Sequence, residues 1–312
     1  MTGGTPAGVP VVHDFAGWPE GPLHLAIGVF DGVHLGHRAL ISHLAAEAAG
    51  AGAAPVAATF DPLPIQVVAP GAPASALSSA HERTRLLGEA GASAVVLFHF
   101  DERFASLTAR EFVAGVAGAG ETHRVVVGAD FQFGHGREGD VRTLAKLGTQ
   151  IGFEVDVFPP FEIDGASVSS TRIRNALAAG AVEEAARLLG RPYAVPGEVV
   201  HGSSRGRGLG YPTINIATPP ERLLPKDGIY AMRVGLDGRE YAAAASLGVR
   251  PTFGGGPKVL EAHLLDFQAD AYGRRAMAAF VRRLRDERHF GTPEELTAQI
   301  AKDVEATREA LC

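Results

Sequence analysis

Two histidines three residues apart, His34 and His37, stand among glycines in the stretch Gly28-Val29-Phe30-Asp31-Gly32-Val33-His34-Leu35-Gly36-His37. An apolar run, 23–30, leads into it, and Leu35, Leu40 and Leu44 follow at about one helical turn apart. Strand, glycine turn and helix start together suit an anion, because free backbone N–H groups and the helix dipole both attract negative charge there. Metal ligation needs a third and fourth ligand at clear spacing, and no such cluster stands out. Ordinary turn histidines stay open as the plain alternative. The Lys-Ser/Thr of a P-loop and the three-glycine dinucleotide fingerprint are both absent. A triphosphate handled by two histidines points to nucleotidyl transfer, in which an incoming group attacks the α-phosphorus and pyrophosphate leaves. If that group is already a phosphate, charge stabilisation suffices and no strong base is needed.

Ser169-Ser170-Thr171-Arg172-Ile173-Arg174 opens a helical pattern. Ser or Thr there can be a plain N-cap. Two arginines in a first turn oppose the helix dipole, a conflict that a bound anion resolves. Further on, Gly202, Arg205, Gly206, Arg207 and Gly210 form a glycine-rich tract that runs into Tyr211-Pro212-Thr213-Ile214-Asn215. Backbone N–H groups and guanidinium forks in such a tract can wrap phosphates; a flexible hairpin or a nonspecific RNA-binding loop is the alternative. Within 259–267, Leu260, Ala262 and Leu264 share one strand face while Glu261 and His263 share the other. A mid-strand carboxylate either faces solvent or, in a pocket, takes the proton of a substrate hydroxyl during phosphoryl transfer.

These residues need elements to hold them. Apolar runs at 55–60, 94–98 and 125–127 have strand length, 153–158 is strand-like, and helical patterns occupy 80–90, 108–117 and 140–150. Thr108 with Glu111 is a capping box. Alternation of strand and helix argues for a parallel sheet with helices on both faces, whose ligands bind at the carboxyl ends of the strands. His34, His37, Asp61 and Asp130 all follow such strands and should converge there. Helical segments continue to about 177 and over 182–189, and the texture then changes. Short β-like runs at 197–201, 229–235, 241–247 and 259–267 are separated by turn residues such as Asp227-Gly228 and Asp237-Gly238, which predicts a small antiparallel barrel. Thr292-Pro293-Glu294-Glu295 starts a last helix, whose stripe of Leu296, Ile300, Val304 and Leu311 should pack on that barrel. The division between an α/β domain and a barrel domain is placed between 187 and 188.

A chain of 312 residues suits two such domains. With a net charge of -6 there is no global basic field to attract nucleic acid. The single cysteine, Cys312, excludes an intramolecular disulfide and cysteine-based zinc chemistry. No signal-like N-terminus or membrane-length apolar run is seen, so a cytoplasmic location is expected. Oligomeric state is not legible.

Together these motifs resemble the bacterial bifunctional riboflavin kinase/FAD synthetase family, over residues 24 to 308. Gly28, Phe30, Asp31, His34, Gly36 and His37 look like its nucleotidyltransferase signature, and the stretch with Ser170, Thr171 and Arg174 like its second ATP motif. Gly128 with Asp130, Phe131 and Gly134 is similar to the segment beside its flavin site. Gly202 to Gly210 and Pro212-Thr213-Ile214-Asn215 resemble the kinase phosphate loop and Pro-Thr-Ala-Asn motif. The stretches Leu247-Gly248, Pro251-Thr252-Phe253-Gly254 and Leu260-Glu261-Ala262-His263-Leu264 resemble later barrel motifs. The resemblance implies a Rossmann-like nucleotidyltransferase domain (1–187), and a riboflavin kinase barrel with a C-terminal helix (188–312). It implies that Glu261 is the kinase base, that Thr213 and Asn215 hold Mg²⁺ and phosphates, and that His34, His37, Ser170, Thr171 and Arg174 bind ATP for FMN adenylylation. Asp61, Asp130 and Phe131 would sit at the flavin. Substrates would be riboflavin, FMN and ATP, with Mg²⁺ as the metal and neither nucleic acid nor membrane as partner. The family often reads Asp-Pro-His-Pro where this chain has Asp61-Pro62-Leu63-Pro64, so a kinase with a weak adenylyl half is the nearest rival. A non-catalytic flavin sensor is a more distant one.

Overall fold

The computed structural model describes residues 8–73, 75–201, 210–249 and 258–311. Contacts divide the chain into two compact units, Met1–Ser170 and Thr171–Cys312.

In the first unit, β1 (Val11–His13), β2 (Pro22–Ile27), β3 (Ala54–Asp61), β4 (Ala94–His99) and β5 (Glu121–Gly128) alternate with helices. These are α1 (Leu35–Ala51), α2 (Pro64–Val68), α3 (Ala80–Glu89), α4 (Glu102–Ala105) and α5 (Ala109–Ala119). A two-stranded ribbon, β6 (Gln132–Phe133) with β7 (Gly139–Asp140), precedes α6 (Val141–Ile151) and β8 (Glu154–Phe158). A small hairpin, β9 (Glu162–Ile163) with β10 (Ala166–Ser167), ends the unit. The main sheet runs β1-β4-β3-β2-β5-β8 with every pair parallel. Both of its faces are covered, which is why its strands read as continuous apolar runs. Leu23, Leu25 and Ile27 enter one core with Phe98, Phe112 and Val113. Ala26 enters the other with Leu40, Ile41 and Leu44 of α1. Thr108 caps α5 and closes the predicted box with Glu111. β1, α2 and α4 are too short to show a period in the sequence.

In the second unit, α7 (Ser170–Ala179) and α8 (Val182–Leu189) precede β11 (Tyr193–Val200), β12 (Ile214–Ala217), β13 (Gly228–Leu236), β14 (Arg239–Val249), β15 (Lys258–Leu264) and β16 (Arg275–Arg285). The six strands close as β11-β12-β15-β14-β13-β16. Asp237 and Gly238, with φ of 47° and 78°, form the tight β13–β14 turn, where positive φ at both positions matches the strand twist. The sequence divides the chain at 187/188, whereas packing sends α8, and α7 beyond its first residue, to the barrel unit. Val182, Ala185, Leu188 and Leu189 are buried, and α8 packs on β11 and β16.

α9 (Pro293–Leu311) packs on β13, β14 and β16 through a face that joins the expected stripe to two polar residues. Leu296, Ile300, Val304 and Leu311 are only half-buried, and the residues most enclosed are Asp303 and Thr307. Arg285 grips Asp303 through two bonds of 2.9 and 2.6 Å, and Gln299 adds a third at 2.9 Å. A bidentate ion pair, which sequence periodicity cannot show, thus adds to the apolar contacts of that face.

Candidate active sites

The loop after β2 is wound tightly. Phe30 and Val33 both adopt positive φ, 50° and 38°, an arrangement that costs about 1–3 kcal/mol each in non-glycine residues. Burial holds them there, since Phe30 is 2% and Val33 0% exposed. A Cβ at Gly28 would lie 3.0 Å from the Phe30 ring and one at Gly36 3.2 Å from the His34 ring, so a larger residue at either position would have to push the ring aside. The two glycines therefore make room for aromatic packing.

The sequence places Asp31 among the phosphate contacts, and the structure puts its carboxylate elsewhere. At 1% exposure it accepts from the backbone N–H of Leu77 and of Ser78 and from the Ser78 hydroxyl, at 3.0 to 3.1 Å. Ser78 in turn accepts from Gly32 N–H at 2.8 Å. Arg83, 1% exposed, donates to the carbonyls of Ser78 and Phe60 and reaches Asp61 at 3.5 Å. Asp31 is thus a bolt for the loop, and Ser78 and Arg83 are supports that the sequence did not reveal. Ser78 lies more than 45 residues from the loop groups it holds, and Arg83 more than 20 from Phe60 and Asp61, beyond any local pattern. Ser170 likewise gives its hydroxyl proton to the Asp31 carbonyl at 2.9 Å, so that side chain joins the helix start to the loop.

His34 is the N-cap of α1, and its Nδ1 accepts from His37 N–H at 3.2 Å. A ring nitrogen that accepts carries no proton, so neutral His34 holds its proton on Nε2. The His37 ring stacks on His34 with centroids 3.5 Å apart, and meets the edge of Phe30 at 5.1 Å. Burial, and after it the neighbouring His34, hold the His37 pKa well below the ordinary 6.5. Its Nδ1 is buried without a hydrogen-bond partner.

The unfolded chain takes up a proton at His37 below about pH 6.5 while the folded chain does not. This contribution to stability is full above that pH and is lost as pH falls toward the depressed folded value, by at most about 1.4 kcal/mol per unit. Denaturant unfolding at about pH 7.5 and 5.5 should show a smaller drop in His37→Gln than in the unaltered chain. Equal drops would remove His37 from the account.

Asp61 ends β3, and Asp130 follows β5. Because β3, β2 and β5 are neighbours, their carboxyl-end loops lie side by side, as expected. Phe131 stacks on Phe133 at 5.4 Å, and Phe133 meets Phe112 at 5.7 Å. Leu63 is 2% exposed. A cleft of about 550 Å³ lined by His24, Glu47, Arg124 and Glu154 opens at the amino ends of the strands, away from all these residues. Thr171 and Arg174 belong to α7, in the second unit.

On the barrel, Leu260, Ala262 and Leu264 are 1%, 0% and 4% exposed, so Glu261 and His263 take the opposite, outer face. Asn215 pairs directly with Glu261, and Ser246 pairs with it from the other side. Directly paired residues share a face, so Asn215, Glu261 and Ser246 form one row. Thr213 lies just before β12, two residues from Asn215, and within the strand Ile214 takes the inner face with Ala262. Ser246 donates to Glu287 at 3.1 Å, and the Glu287 carboxylate lies against Gly248, where a Cβ would displace it. Gly210 has φ of 81°. Gly202, Arg205, Gly206 and the 251–254 motif lie outside the described residues. Among the described residues no group of three or more His, Cys, Asp or Glu could hold a metal, and no helix is long and apolar enough to cross a membrane.

Residues 19–172 match the model of the FAD synthetase family and residues 189–311 that of the riboflavin kinase family. The bifunctional riboflavin kinase/FMN adenylyltransferase of Escherichia coli K12 is 38% identical over 300 residues, 96% of each chain. Its counterpart from Pseudomonas fluorescens is 41% identical over 285 residues, 90% of this chain and 91% of the relative. A solved structure from Streptococcus pneumoniae, described as a macrolide-efflux protein, superimposes with a TM-score of 0.88 at 34% identity, covering 96% of this chain and 98% of the other. Two family models in tandem, full-length relatives, and an α/β unit followed by a closed barrel agree: the chain belongs to the bifunctional riboflavin kinase/FMN adenylyltransferase family.

Proposed function

We propose that the two activities of this riboflavin kinase and FMN adenylyltransferase use the two residue groups described above. On the barrel, riboflavin + ATP gives FMN + ADP. Glu261 takes the proton of the riboflavin hydroxyl as its oxygen attacks the γ-phosphorus. Thr213 and Asn215 offer hard oxygens beside Glu261 and suit Mg²⁺ shared with ATP phosphates; when bound, the ion neutralises charge on the transferring group. Gly202, Arg205, Gly206 and Gly210 are assigned to the phosphates by family resemblance. The pairing of Asn215 with Glu261 across β12 and β15 carries this reading.

In the first unit, FMN + ATP gives FAD + pyrophosphate. His34 donates through Nε2–H to the triphosphate while its Nδ1 caps the helix, and neutral His37 lies against it. Thr171 and Arg174 are assigned to ATP by resemblance, and Asp61, Asp130 and Phe131 to the flavin. A cytoplasmic enzyme acting on small molecules, without nucleic acid, fits the need for ATP and the net charge of -6.

The buried Leu63, in place of the family's usual histidine, favours a second reading in which the adenylyl half is weak. A time course from riboflavin, ATP and Mg²⁺ with FMN and FAD resolved decides between them. FMN that rises and then converts to FAD is expected. FMN alone would favour the second reading, and neither product would overturn both.

A further inference from the structure

We propose that His263 is a positioning residue of the kinase site, fixing the 211–213 segment so that Thr213 stands beside Glu261. The backbone pairing of β12 with β15 runs from Ile216–Leu260 through Asn215–Glu261 to Ile214–Ala262 and goes no further. One residue on, the His263 side chain takes over, with Nδ1 2.8 Å from the Pro212 carbonyl. A carbonyl oxygen only accepts, so Nδ1 carries the proton. Proline has no N–H to give to a ladder, and its carbonyl is met by the His263 side chain rather than by a strand N–H. The Tyr211 ring meets the His263 ring edge-on at 5.3 Å and 81°, which adds an apolar contact to the polar one.

Thr213 is thereby held from both sides, by the ladder at Ile214 and by His263 at Pro212. His263 reaches this place because it alternates with Ala262 and shares the outer face with Glu261. One residue thus links the strand carrying the base to the segment carrying Thr213. Misplacing a phosphate-orienting group by a fraction of an ångström weakens transfer without touching the base. The inference rests on the reading that Thr213 faces the phosphates.

The test compares His263→Leu, which lacks the donor, with His263→Asn, whose amide nitrogen can stand near the Nδ1 position, and with Thr213→Ala. Kinase kcat, KM for ATP and Mg²⁺ requirement are measured on the full chain, with adenylylation of supplied FMN and thermal unfolding as controls of folding. His263→Leu should lower kinase kcat/KM about tenfold and raise the Mg²⁺ requirement, with His263→Asn recovering most of the loss and adenylylation unchanged. The ¹⁵N shifts of the His263 ring should show the Nδ1–H tautomer. An unchanged kinase in His263→Leu, equal losses in both variants, or an Nε2–H tautomer would overturn the proposal. If Thr213→Ala leaves the Mg²⁺ requirement untouched, the reading of Thr213 fails instead, whatever His263 does.

Discussion

Glu261→Gln is expected to lower FMN formation by about 10²–10⁴-fold, the range that a positioned general base supplies, while FMN given to the same variant still becomes FAD. The substitution keeps size and hydrogen-bonding shape, and Glu261 sits on the outer face of β15, so the packed barrel interior is undisturbed. The loss should appear in kcat more than in the KM for riboflavin, because proton removal belongs to the transition state. Product chromatography from riboflavin and from FMN in parallel reactions provides the check. If both reactions fail together, the assignment of separate residue groups falls. If neither fails, Glu261 is a surface carboxylate and the base lies elsewhere.

His34→Asn should lower FAD formation by about 10²-fold or more, as expected for removing one preorganised donor from developing phosphate charge. FMN then accumulates from riboflavin. Asparagine suits the test because its side-chain oxygen can still accept from His37 N–H and keep the helix cap, worth about 1 kcal/mol. What it lacks is the Nε2–H. His34→Ala loses both, so it should match the asparagine variant in activity but unfold at lower temperature. Pairing it with His37→Ala should leave FMN as the end product. Full FAD synthesis by His34→Asn would show that the histidine serves only the cap.

The outlines were legible where burial imposes a simple period. β2 to β5 lie in the middle of a sheet covered on both faces, so each carries an apolar run. The capping boxes at Thr108 and the inner/outer alternation of 259–264 are local in the chain and visible from it. β16 was not, because arginines at 275, 282, 283 and 285 interrupt its alternation of Ala276, Ala278 and Phe280. β12 was hidden inside a motif that reads as loop. The enclosed face of α9 was legible from its leucines, but the Arg285–Asp303 pair on that face was not, because Arg285 comes from β16.

The sequence by itself determined which residues are chemical candidates and the order of the two halves, since side-chain type and short spacing are properties of the chain. Only the tertiary structure decided what each candidate is free to do. Asp31 and the Ser170 hydroxyl, both plausible phosphate contacts in the sequence, have their polar atoms committed to Leu77, Ser78 and the loop itself. The tautomer of His34, the depressed pKa of His37 and the hold of His263 on Pro212 depend on partners that folding supplies. A buried polar atom must be satisfied by whatever lies within about 3 Å, and in a folded chain that neighbour can come from anywhere in the sequence.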